Sequence, residues 1–354
     1  MVTGMDGGLK TAKILVVRRD NIGDLVCTTP FIRALRQALP QARIDALVNS
    51  YNLPVLAGNP DLDHAYAYTK AKHREGGSLL GVHWRRLRLM WELRRRHYDL
   101  VILAGDGDRQ RAMNLARWIH PRQIAGFLAA GEAGSQGLDL AVVLDDRPRH
   151  AVEITCRLLE PLGLATTPPA LRLVPELQSA DAARQALAAQ PWFRPERPTI
   201  AIHISARKPP QRWPAASFAA LMERLHAAYG FQFMLLWSPG DEDNPLHPGD
   251  DRKAAAILDT TRGLPVLAYP TYHLRDLVGG LSCCQAMICS DGGAMHLGAG
   301  LGLPIVCFFG NSDAVRWRPW GVLQELLQPA SRNVQDIDVD EALAAFGRLW
   351  KQRA

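Results

Sequence analysis

Short, wholly apolar runs recur along the chain, most of them followed by a polar turn and then an amphipathic stretch. Residues 13–18 are the first such run, and a strand buried on both faces is predicted there. The polar turn 19–24 follows, then a helix over 25–39 with Pro30 near its start and Pro40 ending it. Strands are expected at 44–48 and 99–104, with a helix at 110–119. A long helix over 150–162 leads into Thr166-Thr167-Pro168-Pro169, which reads as a linker. A second series then begins: strand 198–203, helix 214–229, strand 232–237, strand 266–269 and helix 274–283. It ends in the stretch 285–310, where two apolar runs flank a helix entered through a glycine pair. A closing helix is expected over 339–351. Strand–helix–strand units imply right-handed crossovers and parallel sheets. The fold class predicted is α/β, with two Rossmann-like domains facing across a central cleft.

The bulk numbers suit that picture. The 354 residues are 47% hydrophobic and 21% charged, which fits two soluble domains with full cores. Residues 1–12 read as a loose, Gly-rich leader, and the first ten lack the apolar middle of a signal peptide. No apolar run reaches membrane-spanning length, so a cytoplasmic chain is expected. The six cysteines show no CxxC spacing and lie mostly in apolar runs, which predicts buried free thiols and no bound metal. A formal charge of +6 suits an acidic partner: nucleic acid, anionic lipid or a phosphorylated substrate.

The candidate chemistry lies at strand ends. Asp291 ends one apolar run, and Gly292 and Gly293 let the backbone turn and approach a ligand. The helix behind them would present free N–H groups and its positive dipole end, the design of a phosphate or diphosphate site. An ordinary tight turn is the plainer alternative. The first turn has no GxGxxG fingerprint, and no GxxxxGK[ST] occurs anywhere; what the turn offers is Gly23-Asp24. Asp24 is a helix cap on one reading and a general base in a cleft on the other. The turn 203–214 carries Ser205 and three cations, Arg207, Lys208 and Arg212, between a strand and a helix. It is either a solvated loop or an anion clamp. Glu242, in the loop after residues 232–237, is placed to accept from a ribose.

Several of these pieces together resemble the family 9 glycosyltransferases, the lipopolysaccharide heptosyltransferases. They are Asn21-Ile22-Gly23-Asp24, Tyr98-Asp99-Leu100-Val101-Ile102, Arg212-Trp213-Pro214 and Ser290-Asp291-Gly292-Gly293-Ala294-Met295-His296. Phe309-Gly310-Asn311-Ser312 stands where that family usually has Gly-Pro-Thr. The resemblance runs from about Lys13 to Trp350 and implies the GT-B fold. It makes residues 13–165 an acceptor domain and 175–335 a donor domain, with helix 339–351 crossing back onto the first. It implies an inverting, metal-independent enzyme carrying heptose from ADP-heptose to a lipopolysaccharide inner-core or other lipid-linked acceptor. The nucleotide sugar is then a co-substrate, and no cofactor or metal is required. The general base falls on Asp24. Donor binding falls on Asp291, Gly292, Gly293, Ala294, His296 and Glu242, with Ser205, Lys208, Arg212 and Asn311 nearby. The family usually has a lysine two residues before Trp213, and this chain has Gln211, so Lys208 or Arg212 would have to substitute. Arg109, His73 and Arg74 are acceptor-side candidates by location.

Residues 84–96 hold six arginines and one acid, with Trp84, Leu87, Trp91, Leu89 and Leu93 near helical spacing. A surface helix with one buried stripe explains them. So does peripheral contact of Arg85–Arg96 with anionic lipid on the cytoplasmic face of the inner membrane, or with acceptor phosphates. Two rivals to the main reading stand: a GT-B enzyme with another donor or a protein acceptor, and a non-catalytic sugar-nucleotide-binding homologue. A nucleic-acid partner would explain the charge but not the carboxylates, and none is expected.

Overall fold

The computed structural model describes residues 9–68, 79–105, 109–132, 134–244 and 248–353. They form two compact units, one ending at Leu173 and the other starting at Val174. The first unit runs β1 (Lys13–Arg18), α1 (Ile22–Val26), α2 (Thr29–Ala38), β2 (Arg43–Asn49), β3 (His64–Tyr68) and α3 (Leu79–Arg95). It continues with β4 (Leu100–Leu103), α4 (Arg109–Ile119), β5 (Gln123–Leu128), β6 (Leu140–Val143) and α5 (Ala151–Cys156). The second runs α6 (Leu177–Ala188), β7 (Thr199–His203), α7 (Ala215–Tyr229), β8 (Gln232–Trp237), α8 (Asp251–Thr260), β9 (Val266–Pro270) and α9 (Leu274–Leu281). It closes with β10 (Ala286–Ser290), α10 (Gly293–Gly300), β11 (Ile305–Phe308), α11 (Ala314–Trp317), β12 (Gln324–Leu327) and α12 (Val339–Arg353).

Each unit has one six-stranded sheet, ordered β3-β2-β1-β4-β5-β6 in the first and β12-β11-β10-β7-β8-β9 in the second. Every strand pair is parallel. Counted from each unit's own first strand the two orders are the same, 3-2-1-4-5-6, which is the doubly wound arrangement. Central strands are apolar throughout because helices cover both faces: every residue of β7, β8 and β10 is buried. Edge strands carry a weaker signal. His64-Ala-Tyr-Ala-Tyr68 and Gln324-Glu-Leu-Leu327 are half polar, and the hydrophobic pattern alone does not announce them.

Two predicted helices come out differently. The one expected over 25–39 starts at Ile22 and breaks at Cys27-Thr28, because Pro30, in the first turn of α2, has no N–H to continue the ladder. The one over 150–162 is α-helical only to Cys156 and then tightens to 3₁₀ geometry around Pro161, ending on Gly163 at φ 69°. The six cysteines are free thiols, five of them buried and Cys283 partly so. Among the described residues no helix is long and apolar enough to cross a membrane. The closing helix α12 lies against α7, β11 and β12 through Ala342, Ala345, Phe346 and Leu349, part of the second unit's core.

Candidate functional site

In a sheet ordered 3-2-1-4-5-6, the helices after strands 1 and 4 leave toward opposite faces and open a crevice at the strands' carboxyl ends. In the second unit those strands are β7 and β10, and the loops leaving them are 204–214 and 291–292. Trp213 fixes the first loop. It is buried between Phe218 (4.9 Å between ring centres) and Phe308 (4.7 Å), and its indole N–H donates to the Ile337 carbonyl at 3.0 Å. Two residues earlier, Gln211 is therefore held against the end of β10. Its Nε2 donates to Asp291 Oδ2 at 2.7 Å and to Ser312 Oγ at 2.9 Å. Gly310 makes this possible: a Cβ there would stand 2.5 Å from the Pro210 carbonyl oxygen. Gln328 pins the same turn by donating to the carbonyls of Gly310 and Ser312.

Asp291 is buried, and burial pushes its carboxyl above the ordinary range, while the Ser312 hydroxyl and the Lys208 charge oppose the shift. Beside it, α10 begins on Gly292, whose missing side chain leaves open space. Helix geometry leaves the N–H groups of Gly293, Ala294 and Met295 without intrahelical acceptors. His296 is buried one turn on, its ring edge-to-face with Trp317 at 6.0 Å. Asn311 is exposed at the rim.

A second group gathers after β7 and β8. Glu242 accepts from the Lys253 backbone N–H at 3.0 Å, and the Ser205 hydroxyl accepts from Ser238 N–H at 2.8 Å. Lys253 Nζ donates to the Ile204 carbonyl at 2.9 Å and lies 5.0 Å from the centre of the Phe218 ring. Burial brings its ammonium down to about 8, with Asp250 opposing. Asp250 is buried, and within the described residues its Oδ2 has no hydrogen-bond partner. Burial raises its carboxyl, with Ser205, Lys253 and Arg212 acting against the shift. His203, at the end of β7, also has an unpartnered Nδ1, and burial first, then the Lys253 charge, lowers its imidazole to about 4.

In the first unit the corresponding strands are β1 and β4. Asp24 Oδ1 accepts from Arg18 Nη2 at 2.7 Å, and Oδ2 accepts from the Asn21 backbone N–H (3.2 Å) and side-chain amide (3.0 Å). Asp24 is thus a capping carboxylate of α1 and the ion-pair partner of a buried arginine at once. Arg18 also pairs with Asp20 at 3.1 Å and donates to the Ala104 carbonyl beyond β4. The Asp20 carbonyl in turn accepts from Asn49, Tyr51 and Asn52, so the whole turn is held from β2 outward.

A family model for glycosyltransferase family 9 (heptosyltransferase) matches residues 86–341. The chain belongs to glycosyltransferase family 9. It is 25% identical over 313 residues to lipopolysaccharide heptosyltransferase 3 of Escherichia coli, covering 84% of this chain and 83% of that protein. In structure it is similar to the glycosyl transferase family 9 from Veillonella parvula, with a TM-score of 0.78, 20% identity and 96% and 97% of the two chains covered. It is also similar to an E. coli heptosyltransferase solved with ADP, with a TM-score of 0.75, 17% identity and 97% and 100% covered. The fold is the expected GT-B one, and the protein is a glycosyltransferase.

In this family 9 enzyme Asp291, Gly292, Gly293, Ala294, His296 and Lys208 belong to one cluster, and Glu242 and Ser205 to the other. Arg212 turns back on its own loop, Nε donating to the Ala206 carbonyl at 2.9 Å. Of the two cations that could stand in for a lysine at Gln211, Lys208 is therefore the one whose charge reaches Asp291. Arg109 is on the rim of a pocket of about 250 Å³ with Gly105, Phe127, Leu128 and Leu144, and it is paired there with Glu132. That pair holds the Glu132 carboxyl down at about 2. His73 and Arg74 lie outside the described residues. Ser312, Asp250, Lys253 and His203 are neighbours of the site that sequence reading does not single out as ligands. Lys253 and Asp250 sit at the polar start of α8, and their packing becomes visible only when β7 and β8 are side by side.

Proposed function

We propose that this glycosyltransferase transfers heptose from ADP-heptose to a lipopolysaccharide inner-core acceptor, with inversion and without a metal. The observation that carries the reading is the buried Asp291 held by Gln211 and Ser312 beside the open start of α10. A carboxylate next to free helix amides suits a sugar joined to a diphosphate: the acid orients hydroxyls while the amides and Lys208 take the phosphate charge. Lipopolysaccharide as acceptor rests on the names of the curated relatives, and ADP on the similar structure solved with it.

Glu242 and Ser205 then meet the ribose side, Arg212 supports the loop between the two groups, and His296 and Asn311 border the sugar. Asp24 takes the proton of the acceptor hydroxyl as that oxygen attacks the anomeric carbon. The bond from that carbon to the diphosphate oxygen breaks, and its electron pair leaves on ADP. Such a step requires Asp24 and the donor sugar to meet with water excluded. Arg18 would orient the carboxylate through its hydrogen bond, while Arg109, His73 and Arg74 would receive the acceptor's anionic groups. The reaction would run on the cytoplasmic side, where the nucleotide sugar is available.

The test pairs transfer from ADP-heptose, in the presence of a chelator, with calorimetric titration of ADP, UDP and GDP. Asp24→Asn is expected to lower kcat by about 10²–10⁴-fold and leave ADP affinity unchanged. Full activity in that variant refutes the base. Loss of wild-type activity with chelator refutes metal independence, and preference for UDP or GDP moves the donor.

A further inference from the structure

The apolar residues of α3 do not form one buried stripe. Leu93 is buried and Leu89 and Met90 pack against the first unit's core, whereas Trp84, Leu87 and Trp91 are 72%, 57% and 58% exposed. Those three stand at positions i, i+3 and i+7, in a row along one outward face. Arg85, Arg88, Arg94 and Arg95 are exposed alongside, the Arg95 guanidinium 4.4 Å from the centre of the Trp91 ring. Arg94 reaches across to α4, where its guanidinium lies 5.6 Å from the ring of Trp118, itself 40% exposed. A groove of about 500 Å³ runs between Arg88, Trp91, Glu92, Arg95 and Arg96. Single exposed apolar residues are ordinary, but a row of two tryptophans and a leucine, continued by a third tryptophan and fringed by arginine, is an interaction surface.

We propose that this face is a monotopic membrane contact. Trp84, Leu87, Trp91 and Trp118 enter the headgroup–acyl boundary of an anionic bilayer, and Arg85, Arg88 and Arg95 meet the lipid phosphates. Tryptophan prefers that boundary, and arginine beside it gains from the negative surface. Charge selects this occupant over a second copy of the chain, since a twofold contact here would set arginine against arginine. The position fits the site as well. Tyr68, at the carboxyl end of β3, has Arg86 of α3 and Arg19 of the Asp24 turn both within about 5 Å of its ring. The lipid-facing helix is thereby tied to the turn that leads into α1, the helix that carries Asp24.

The experiment is co-sedimentation of the full chain with phosphatidylglycerol–phosphatidylethanolamine vesicles and with phosphatidylcholine vesicles, alongside tryptophan quenching by brominated lipids. It reads lipid binding alone and does not depend on any transfer activity. The wild type is expected to bind the anionic vesicles selectively and to be quenched. The triple change Arg85→Glu, Arg88→Glu, Arg95→Glu should weaken binding by about a hundredfold or more. Trp84→Ala with Trp91→Ala should weaken it by about tenfold or more and abolish most quenching, with circular dichroism unchanged. Trp84→Phe with Trp91→Phe should keep binding while losing most of the quenching, the remainder coming from Trp118. No vesicle binding, binding indifferent to the tryptophan-to-alanine pair, displacement by inorganic phosphate, or a dimer in sedimentation that the same pair dissolves would each overturn the proposal.

Discussion

Gln211 stands where the family motif usually has a lysine, and the substitution changes the electrostatics of Asp291. A neutral amide satisfies one oxygen of the buried carboxylate but adds no charge, so burial dominates and the carboxyl stays above its ordinary range. Folded Asp291 thus keeps its proton to higher pH than the unfolded chain does. Over that interval the folded state binds more protons, and stability falls as pH rises through it. Gln211→Lys would place a cation against the carboxylate. The variant's melting temperature relative to wild type is expected to rise as pH increases from the acid range toward neutrality, because the added cation favours the charged carboxylate. A flat or opposite slope in thermal denaturation would show that Asp291 is not the group Gln211 governs. The sequence made the departure at Gln211 visible, but not its consequence, because the partner lies eighty positions away, just past the end of β10. Asp24 was legible as a helix cap, because capping depends on its place just after a strand and at a helix start.

At the scale of elements, the contact between the turns 208–212 and 310–312 decides whether Gln211, Asp291 and Ser312 converge. That contact depends on one missing side chain. Gly310→Ala would press a methyl group against the Pro210 carbonyl, and one of the two turns must move. The expected outcome is a loss of about 1–3 kcal/mol in unfolding free energy and weaker ADP binding, measured by denaturation and calorimetry. Wild-type affinity in that variant would mean the turns can separate without cost to the site. Elements with strong period or continuous apolar character were legible: the central strands, α7 and the glycine-entered α10. Edge strands were not, since a strand covered less completely need not be apolar throughout. In α3 the period was legible but its direction was not. Apolar residues occupy two faces, and only the packed structure tells which one meets Leu115 and Met113.

For the whole molecule, two parallel-sheet domains were anticipated from two series of strand, turn and helix, whereas the strand order comes from pairings no local pattern encodes. The segment joining the units is less loose than Thr166-Thr167-Pro168-Pro169 suggests. Arg172 donates to both oxygens of Asp61 at 3.0 and 3.1 Å, its backbone N–H donates to Thr29 at 3.2 Å, and Leu171 and Leu173 are buried. Asp61 is itself nearly covered, so removing the arginine leaves a buried carboxylate uncompensated. Arg172→Ala is expected to cost about 3 kcal/mol and to open residues 164–173 to limited proteolysis, with the first cut mapped by mass spectrometry. Unchanged protease resistance would show that Leu171 and Leu173 hold the segment without it.

The clasp at Arg172 also bears on how the chain is made. Every strand of the first sheet, and the arginine that fastens its end, is synthesised before the first strand of the second sheet begins. On the ribosome the first unit can therefore finish folding while the second is still being translated. Helix α12, by contrast, packs on a core whose strands are made before it, so Phe231 lacks its ring partners until Phe346 and Trp350 have been synthesised.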